Sequence, residues 1–322
     1  MKTRITELLG IRYPIIQGGM QNIAYPKLCA AISEAGGLGT INTTIYPDAD
    51  DFREALKEVK SLTNKPFCVN MSLLPDVNIG DEAKRYINMC REEGVKAIET
   101  AGTKPDELVP LIKGAGIVHI HKVPATRFAL SAERCGVDAV ICVGFECGGH
   151  PGADNIGTIV LVNEASSKCK IPVIAGGGIV DGYGMAAAFS LGAEAIVMGT
   201  RFMATEEAPI SRQHKEWILA ATEKDTIIAQ RSIRNQVRVA NNGAAQKCLE
   251  MEEEGATLKE LLSVIGGAKG KAAYVSGDVD AGMFPMGIGC SIINKIVPVA
   301  QVVENTIKEM EIASERLLRY FT

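Results

Sequence analysis

Four histidines, one tryptophan and 5% aromatic residues are spread over 322 positions, and no two cysteines stand in CxxC spacing. Each scarcity removes a class of function. A structural zinc or iron–sulfur site needs closely spaced cysteines, alone or with histidine. The nine cysteines here lie singly, Cys29, Cys90, Cys135, Cys142 and Cys147 among them. Their odd number also argues against a complete disulfide framework, so reduced thiols in the cytoplasm are expected. Net charge is only −4, which predicts no broad attraction to nucleic acid or to an anionic membrane. The opening residues MKTRITELLG lack the apolar stretch of a secretory leader, and no apolar run is long enough to span a bilayer. No GxGxxG follows the first apolar run, where Gln17-Gly18-Gly19-Met20 stands instead; a doubly wound dinucleotide fold is disfavoured.

What is present is a repeated rhythm. Apolar runs at Tyr13–Ile16, Leu38–Ile41, Pro66–Asn70, Val95–Thr100, Ile117–Val123 and Val137–Val143 are each followed by a helical pattern. Two more runs lie in Ile171–Arg201, joined by the helical Gly182–Leu191. Gly36, Gly94, Gly116, Gly136 and Gly192 stand where helices turn back into strands. Near-continuous apolar strands such as Ala139–Val143 suit a parallel sheet covered on its outer face by helices and packed on its inner one. Eight βα units predict a TIM-type (β/α)8 barrel over residues 1–201, with its active site at the C-terminal ends of the strands. Residues 202–277 read as a polar, mostly helical insertion or lid carrying Trp217, and residues 278–322 as a glycine-rich loop and an amphipathic helix packing back on the barrel.

The last two runs end in Gly176-Gly177-Gly178 and Gly199-Thr200-Arg201. Glycine-rich corners free backbone N–H groups for an anion, and a phosphate site after strands seven and eight recurs in such barrels. His150 stands on the glycine- and proline-rich loop Phe145–Asp154 after strand six, placed for proton transfer or ligand contact; a histidine that merely stabilises its own loop is the alternative. His119 and His121 share one strand face and could both point inward, but a metal site needs three or four ligands. No metal is therefore expected. Lys122 closes strand five as a cation that could balance charge on an electron-rich ring, or as an ordinary solvated lysine. Asn70 ends an apolar strand with an amide able to donate and accept toward a planar ligand, or to form a turn. Met20 could lie against a ring face or serve as plain core. Arg231, Arg234 and Arg238 have the spacing of one helix face and could meet a phosphate-bearing substrate, but read first as a solvated stripe.

QGGM at Gln17–Met20, ECGGHPG at Glu146–Gly152, AGGGI at Ala175–Ile179 and MGTRF at Met198–Phe202 together resemble the nitronate monooxygenase (2-nitropropane dioxygenase) family. That family includes flavin-dependent type II enoyl-acyl-carrier-protein reductases and NAD(P)H:quinone reductases. The resemblance implies FMN, its phosphate on Gly177, Gly178, Gly199 and Thr200. It places the ring against Gly18, Gly19, Met20, Asn70 and Lys122, with Gly148 near the ring and His150 catalytic. In a monooxygenase His150 would act as base or orient the nitronate; in a reductase it would position or protonate an enoyl thioester. One departure is Ile288 in Gly287-Ile288-Gly289, where the family often has glutamine. The resemblance points first to oxidation of alkyl nitronates, second to NAD(P)H-dependent reduction of enoyl thioesters or quinones, and more weakly to a non-enzymatic phosphate-ligand barrel. The expected partner is a small-molecule substrate, and pairing with a second copy of the chain as a homodimer is compatible with this reading.

Overall fold

A computed structural model describes residues 1–46, 48–72 and 81–321 of the chain. Eight parallel strands form its sheet: β1 (Ile15–Gln17), β2 (Gly39–Asn42), β3 (Phe67–Ser72), β4 (Ala97–Ala101), β5 (Val118–Val123), β6 (Ala139–Val143), β7 (Val173–Gly176) and β8 (Ala195–Met198). Neighbours in sequence are neighbours in the sheet. β1 pairs with β8, and Ile16 bridges to Leu38, which closes the ring. Helix α1 (Arg4–Leu9) precedes the first strand. The linking helices are α2 (Pro26–Glu34), α3 (Ala49–Leu62), α4 (Asp81–Glu92), α5 (Val109–Gly114), α6 (Thr126–Cys135), α7 (Thr158–Lys168) and α8 (Gly182–Ser190). This is the TIM-type barrel that the eight apolar runs predict.

Strand alternation divides the core in two. Leu38, Cys68, Ala97, Ile120, Ala139, Ile141, Ile174 and Ala195 face one another inside the barrel. Ile5 and Leu9 of α1 join that cluster, so the helix plugs the N-terminal end. The opposite strand faces meet the helices. In α3, Asp48 caps the first turn, and Phe52, Leu56 and Val59 recur on the buried side at helical spacing. Each such side chain contributes roughly 1.5–3 kcal/mol through burial, and Phe52 and Leu56 are fully buried.

Beyond β8 come α9 (Thr200–Met203) and α10 (Arg212–Ala220), then a two-stranded antiparallel hairpin, β9 (Thr226–Ala229) and β10 (Val237–Ala240). Helices α11 (Gly243–Glu253), α12 (Leu258–Ile265), α13 (Gly267–Ser276) and α14 (Val299–Leu318) follow. The hairpin corrects the helical reading of the arginines: Arg231 and Arg234 lie exposed in a turn, while Arg238 is a buried strand residue. Helix α14 lies against α8 and α2, across the junction where the ring closes. Its contact with α8 is so close that a Cβ on Gly182 would stand 2.1 Å from Thr306 O. No described helix is long and apolar enough to cross a membrane.

Candidate active site

The C-terminal strand ends gather the residues singled out above. After β7, Gly177 and Gly178 adopt φ of +100° and +72°, a left-handed backbone that costs a side chain roughly 1–2 kcal/mol. After β8, a Cβ on Gly199 would touch only the side chain of Met20, 3.7 Å away at Sδ. Met20 thus leans across the corner from the β1 loop, and Gly18 N donates to Met198 O at 3.0 Å to tie loop and strand. The side chains nearby are turned elsewhere. Thr200 Oγ1 accepts from Gly287 N at 3.0 Å, and Arg201 Nη2 donates to Ala204 O and Lys295 O at 2.6 and 2.7 Å. The Glu146 carboxylate accepts from Thr158 N and Oγ1 at 2.9 and 2.8 Å, capping the start of α7. What remains is a corner of backbone groups.

The inner wall opposite is made of polar side chains. Asn42, Asn70 and Glu99 lie in register across β2, β3 and β4, and Lys122 on β5 shares the inward face with Ile120. Lys122 Nζ stands 3.1 Å from Glu99 Oε1; the Glu99 side chain is 1% exposed, whereas a third of Lys122 is open to the mouth. Among the described residues, Glu99 Oε2 has no hydrogen-bond partner. Burial alone would lower the lysine's pKa, but the charge and hydrogen bond of Glu99 hold it above the ordinary value. The ammonium is therefore a paired charge and not a free cation. Asn70 packs on the β1 loop so tightly that a Cβ on Gly19 would fall 2.3 Å from its Cγ. Asn42 Nδ2 donates to Gly19 O at 3.0 Å. Neither Asn42 nor Glu99 was singled out from the sequence, although each interrupts an apolar strand as Asn70 does.

His119 and His121 do share a face, and it is the outer one. Ile120 between them points into the barrel, so both imidazoles lie beneath the helices, with Thr100 Oγ1 2.8 Å from His119 Nε2 and from His121 Nδ1. Burial pushes their pKa values down to about 3 and about 4, which keeps both rings neutral near pH 7. Among the described residues, no group of three His, Cys, Asp or Glu is arranged to hold a metal ion.

His150 lies exposed on the loop after β6, at the C-terminal end of the barrel. Desolvation by the surrounding protein and the nearby Lys122 charge lower its pKa below the usual histidine value, against the Asn235 side chain, which raises it. The ring is thus neutral near pH 7. Gly148, two residues earlier, lies under the returning C-terminal loop, where a Cβ would meet Met286 C and Gly287 N at 2.8 Å. Ile288 takes part there through its backbone, its N–H donating to Glu146 O at 3.0 Å. The mouth therefore brings Gly18, Gly19, Met20, Asn70, Lys122, Gly148, His150, Gly177, Gly178, Gly199 and Thr200 to one end of the barrel.

Comparison with known proteins agrees with this fold. The family model described as nitronate monooxygenase matches residues 2–309. FabK from Thermotoga maritima is 40% identical, with a TM-score of 0.92 over 99% of either chain. A hydroxy-methyl-oxo-octahydroindene-4-carboxyl-CoA dehydrogenase from Rhodococcus jostii is 35% identical over 243 residues, 75% of this chain and 66% of that protein. A probable nitronate monooxygenase from Staphylococcus saprophyticus is 31% identical, the match covering 79% of this chain and 82% of that one.

Proposed function

Because the chain is an oxidoreductase belonging to the nitronate monooxygenase family, we propose that it is an FMN-dependent reductase of enoyl thioesters that takes its electrons from NAD(P)H. The observation that carries this reading is the likeness to FabK, an enoyl-acyl-carrier-protein reductase, which runs through the barrel and the appended segment alike at 40% identity. The Rhodococcus relative is named for a CoA thioester as well. This reverses the order that the sequence motifs suggested. Nitronate oxidation remains the second reading, supported by the family model and by the Staphylococcus relative.

The residues present fit FMN. The corner of Gly177, Gly178 and Gly199 offers close-approaching backbone amides to a phosphate, the Thr200 amide adding to them. The acidic side chain there, Glu146, is engaged by Thr158. Across the mouth, Asn70 and the Glu99-held Lys122 supply donors for the polar edge of a planar ring, while Gly18, Gly19 and Met20 supply its apolar bed and Gly148 borders it. When bound, FMN would carry the electrons between the nicotinamide and the thioester. The protein's share is placement. His150, on the β6 loop, stands over the open side of the mouth, orients the thioester, and in its protonated form, the minor one near pH 7, would supply the proton. The Glu99–Lys122 pair fixes a cation without adding net charge to the barrel floor.

The test is anaerobic mixing of purified protein with NADH or NADPH, then with a crotonyl thioester or an alkyl nitronate, following flavin absorbance. Bleaching by a nicotinamide and recovery with the thioester are expected. Bleaching by the nitronate alone would overturn the reductase reading in favour of the oxidase one. A colourless protein that takes up no added FMN would overturn both.

A further inference from the structure

The hairpin β9–β10 lies outside the barrel, yet its second strand reaches back to the loop that carries His150. Gly149 N donates to Arg238 O at 3.0 Å and Arg238 N donates to Gly149 O at 2.7 Å, a two-way antiparallel bridge one residue before the imidazole. The Arg238 side chain is buried. Its Nε and Nη2 donate to Phe145 O at 3.2 and 3.0 Å, its guanidinium lies 4.6 Å from the Phe145 ring centre, and Nη1 donates to Thr226 Oγ1 at 3.1 Å. Gln236 Nε2 donates to Gly152 O, and Asn235, whose Nδ2 donates to Gln230 Oε1 at 3.3 Å, sits close enough to the His150 ring to raise its pKa. Residues 145, 149 and 152, on both sides of His150, are thus held by two residues of one strand and its approach.

The hairpin is itself anchored. Gln230 and Arg234 adopt left-handed φ of +64° and +54°, which side chains take only when the surroundings impose it. Glu252 of α11 accepts from Gln230 N and Ser232 N at 2.7 and 2.8 Å and fixes the turn. Val239 bridges to Pro285, and three residues on, Ile288 N closes the circuit on Glu146 O. By contrast the His150 loop holds Gly148, Gly149 and Gly152 and has little stiffness of its own.

We infer that the β9–β10 hairpin is the positioning device for His150: Arg238 fixes the loop backbone, and Asn235 on the same segment flanks the ring. The appended segment, and not the barrel, then sets where the imidazole stands. The inference rests on the reading of His150 as the group over the substrate, and Arg238 and Asn235 act through it. Besides Asn235, the charged group facing the ring is Lys122 of β5, which opposes a second positive charge.

The experiment follows the four histidine rings by NMR against pH in ¹³C-histidine-labelled protein as purified, and amide exchange at Gly149. Asn235→Ala should lower the His150 pKa and Asn235→Asp should raise it, with FMN content unchanged. Arg238→Lys keeps the charge but loses the paired bonds to Phe145 O. It should speed exchange at Gly149 and lower kcat by on the order of 10²-fold, the scale of misplacing a catalytic group, with KM less affected. Asn235 is exposed, so its variants keep the fold even where an Arg238 variant does not. An identical His150 titration in all three Asn235 forms would overturn the inference, as would unchanged Gly149 exchange in folded Arg238→Lys. Both readouts need neither substrate nor turnover. A protein without FMN would therefore defeat the proposed function and still leave them to decide this one.

Discussion

The corner after β7 and β8 and the wall from β3 to β6 face each other across one barrel mouth, and they are built from different materials. The corner is backbone: Gly177, Gly178 and Gly199 expose amides, and the polar side chains around them are committed to the protein's own contacts. The wall is side chains: Asn70, the Glu99–Lys122 pair and His150, each held by partners from distant parts of the chain. A backbone site recognises charge and shape and tolerates little added volume. A side-chain site sets reactivity, and its parts can be exchanged one at a time. Substitutions on the two sides should therefore fail differently.

The largest effect is expected in the corner. Gly178→Val places a branched side chain on a left-handed backbone, with its Cβ 3.2 Å from Glu146 Cβ. FMN retention should be abolished while circular dichroism still reports the barrel. Normal flavin content in that variant would place the phosphate elsewhere. On the wall, His150→Ala should retain FMN and lower turnover by roughly 10²-fold or more, the scale of a lost acid–base group. The loss should be smaller on a nitronate, which arrives already deprotonated. Full activity on every substrate would remove His150 from the chemistry.

This contrast also governed what the sequence could reveal. Gly177-Gly178 and Gly199-Thr200 were legible because the glycine requirement is local: φ and close approach are properties of a few adjacent residues. His150 and Lys122 were legible because each breaks or ends an apolar pattern at a strand end. Glu99 gave the same signal inside Ala97-Ile98-Glu99-Thr100 and was passed over; its meaning comes from Lys122 on the next strand. Which way His119 and His121 faced depended on register, and Ile120 among the interior residues settles it. The hairpin was hidden for another reason. Its turn takes left-handed φ at Gln230 and Arg234 with no glycine to announce it, and the spacing of Arg231, Arg234 and Arg238 imitates a helix. The period-two pattern of Val237-Arg238-Val239-Ala240 was the sign of a strand.

A subtler change sharpens the wall's role. Glu99→Gln preserves volume and removes the charge that holds the Lys122 pKa up, so burial should bring the lysine below its ordinary value. With FMN bound against Lys122 as proposed, the less compensated cation should raise the flavin midpoint potential, while Lys122→Met should lower it. Spectroelectrochemistry on the two holoproteins reads both directions. Equal potentials in both variants and the parent would put the ring away from β5, and would leave the Glu99–Lys122 pair a purely structural element of the barrel floor.

The smallest effect at the site should come from the other face of β5, a few ångströms from Lys122. The unfolded His121 ring protonates at its ordinary 6.5, whereas the folded ring, buried beneath the helices, waits until about 4; for His119 the folded value is about 3. Between those limits the unfolded chain binds more protons than the folded one, so stability falls as pH falls below 6.5. Each ring should cost about 1.4 kcal/mol by pH 5.5, since a tenfold excess of protonated ring in the unfolded state is worth that much. Replacing His121 with Asn sets an amide where Nδ1 meets Thr100 Oγ1 and removes one titration. Urea unfolding at pH 7.5 and 5.5 should then show a shallower acid loss in His121→Asn by about one ring's share, with FMN content and turnover at pH 7.5 little changed. If the acid loss were as steep as in the parent, His121 would not titrate as a buried ring. If flavin binding were lost at pH 7.5 in folded protein, the two faces of β5 would not be separable, and the inner wall would depend on the histidine pair behind it.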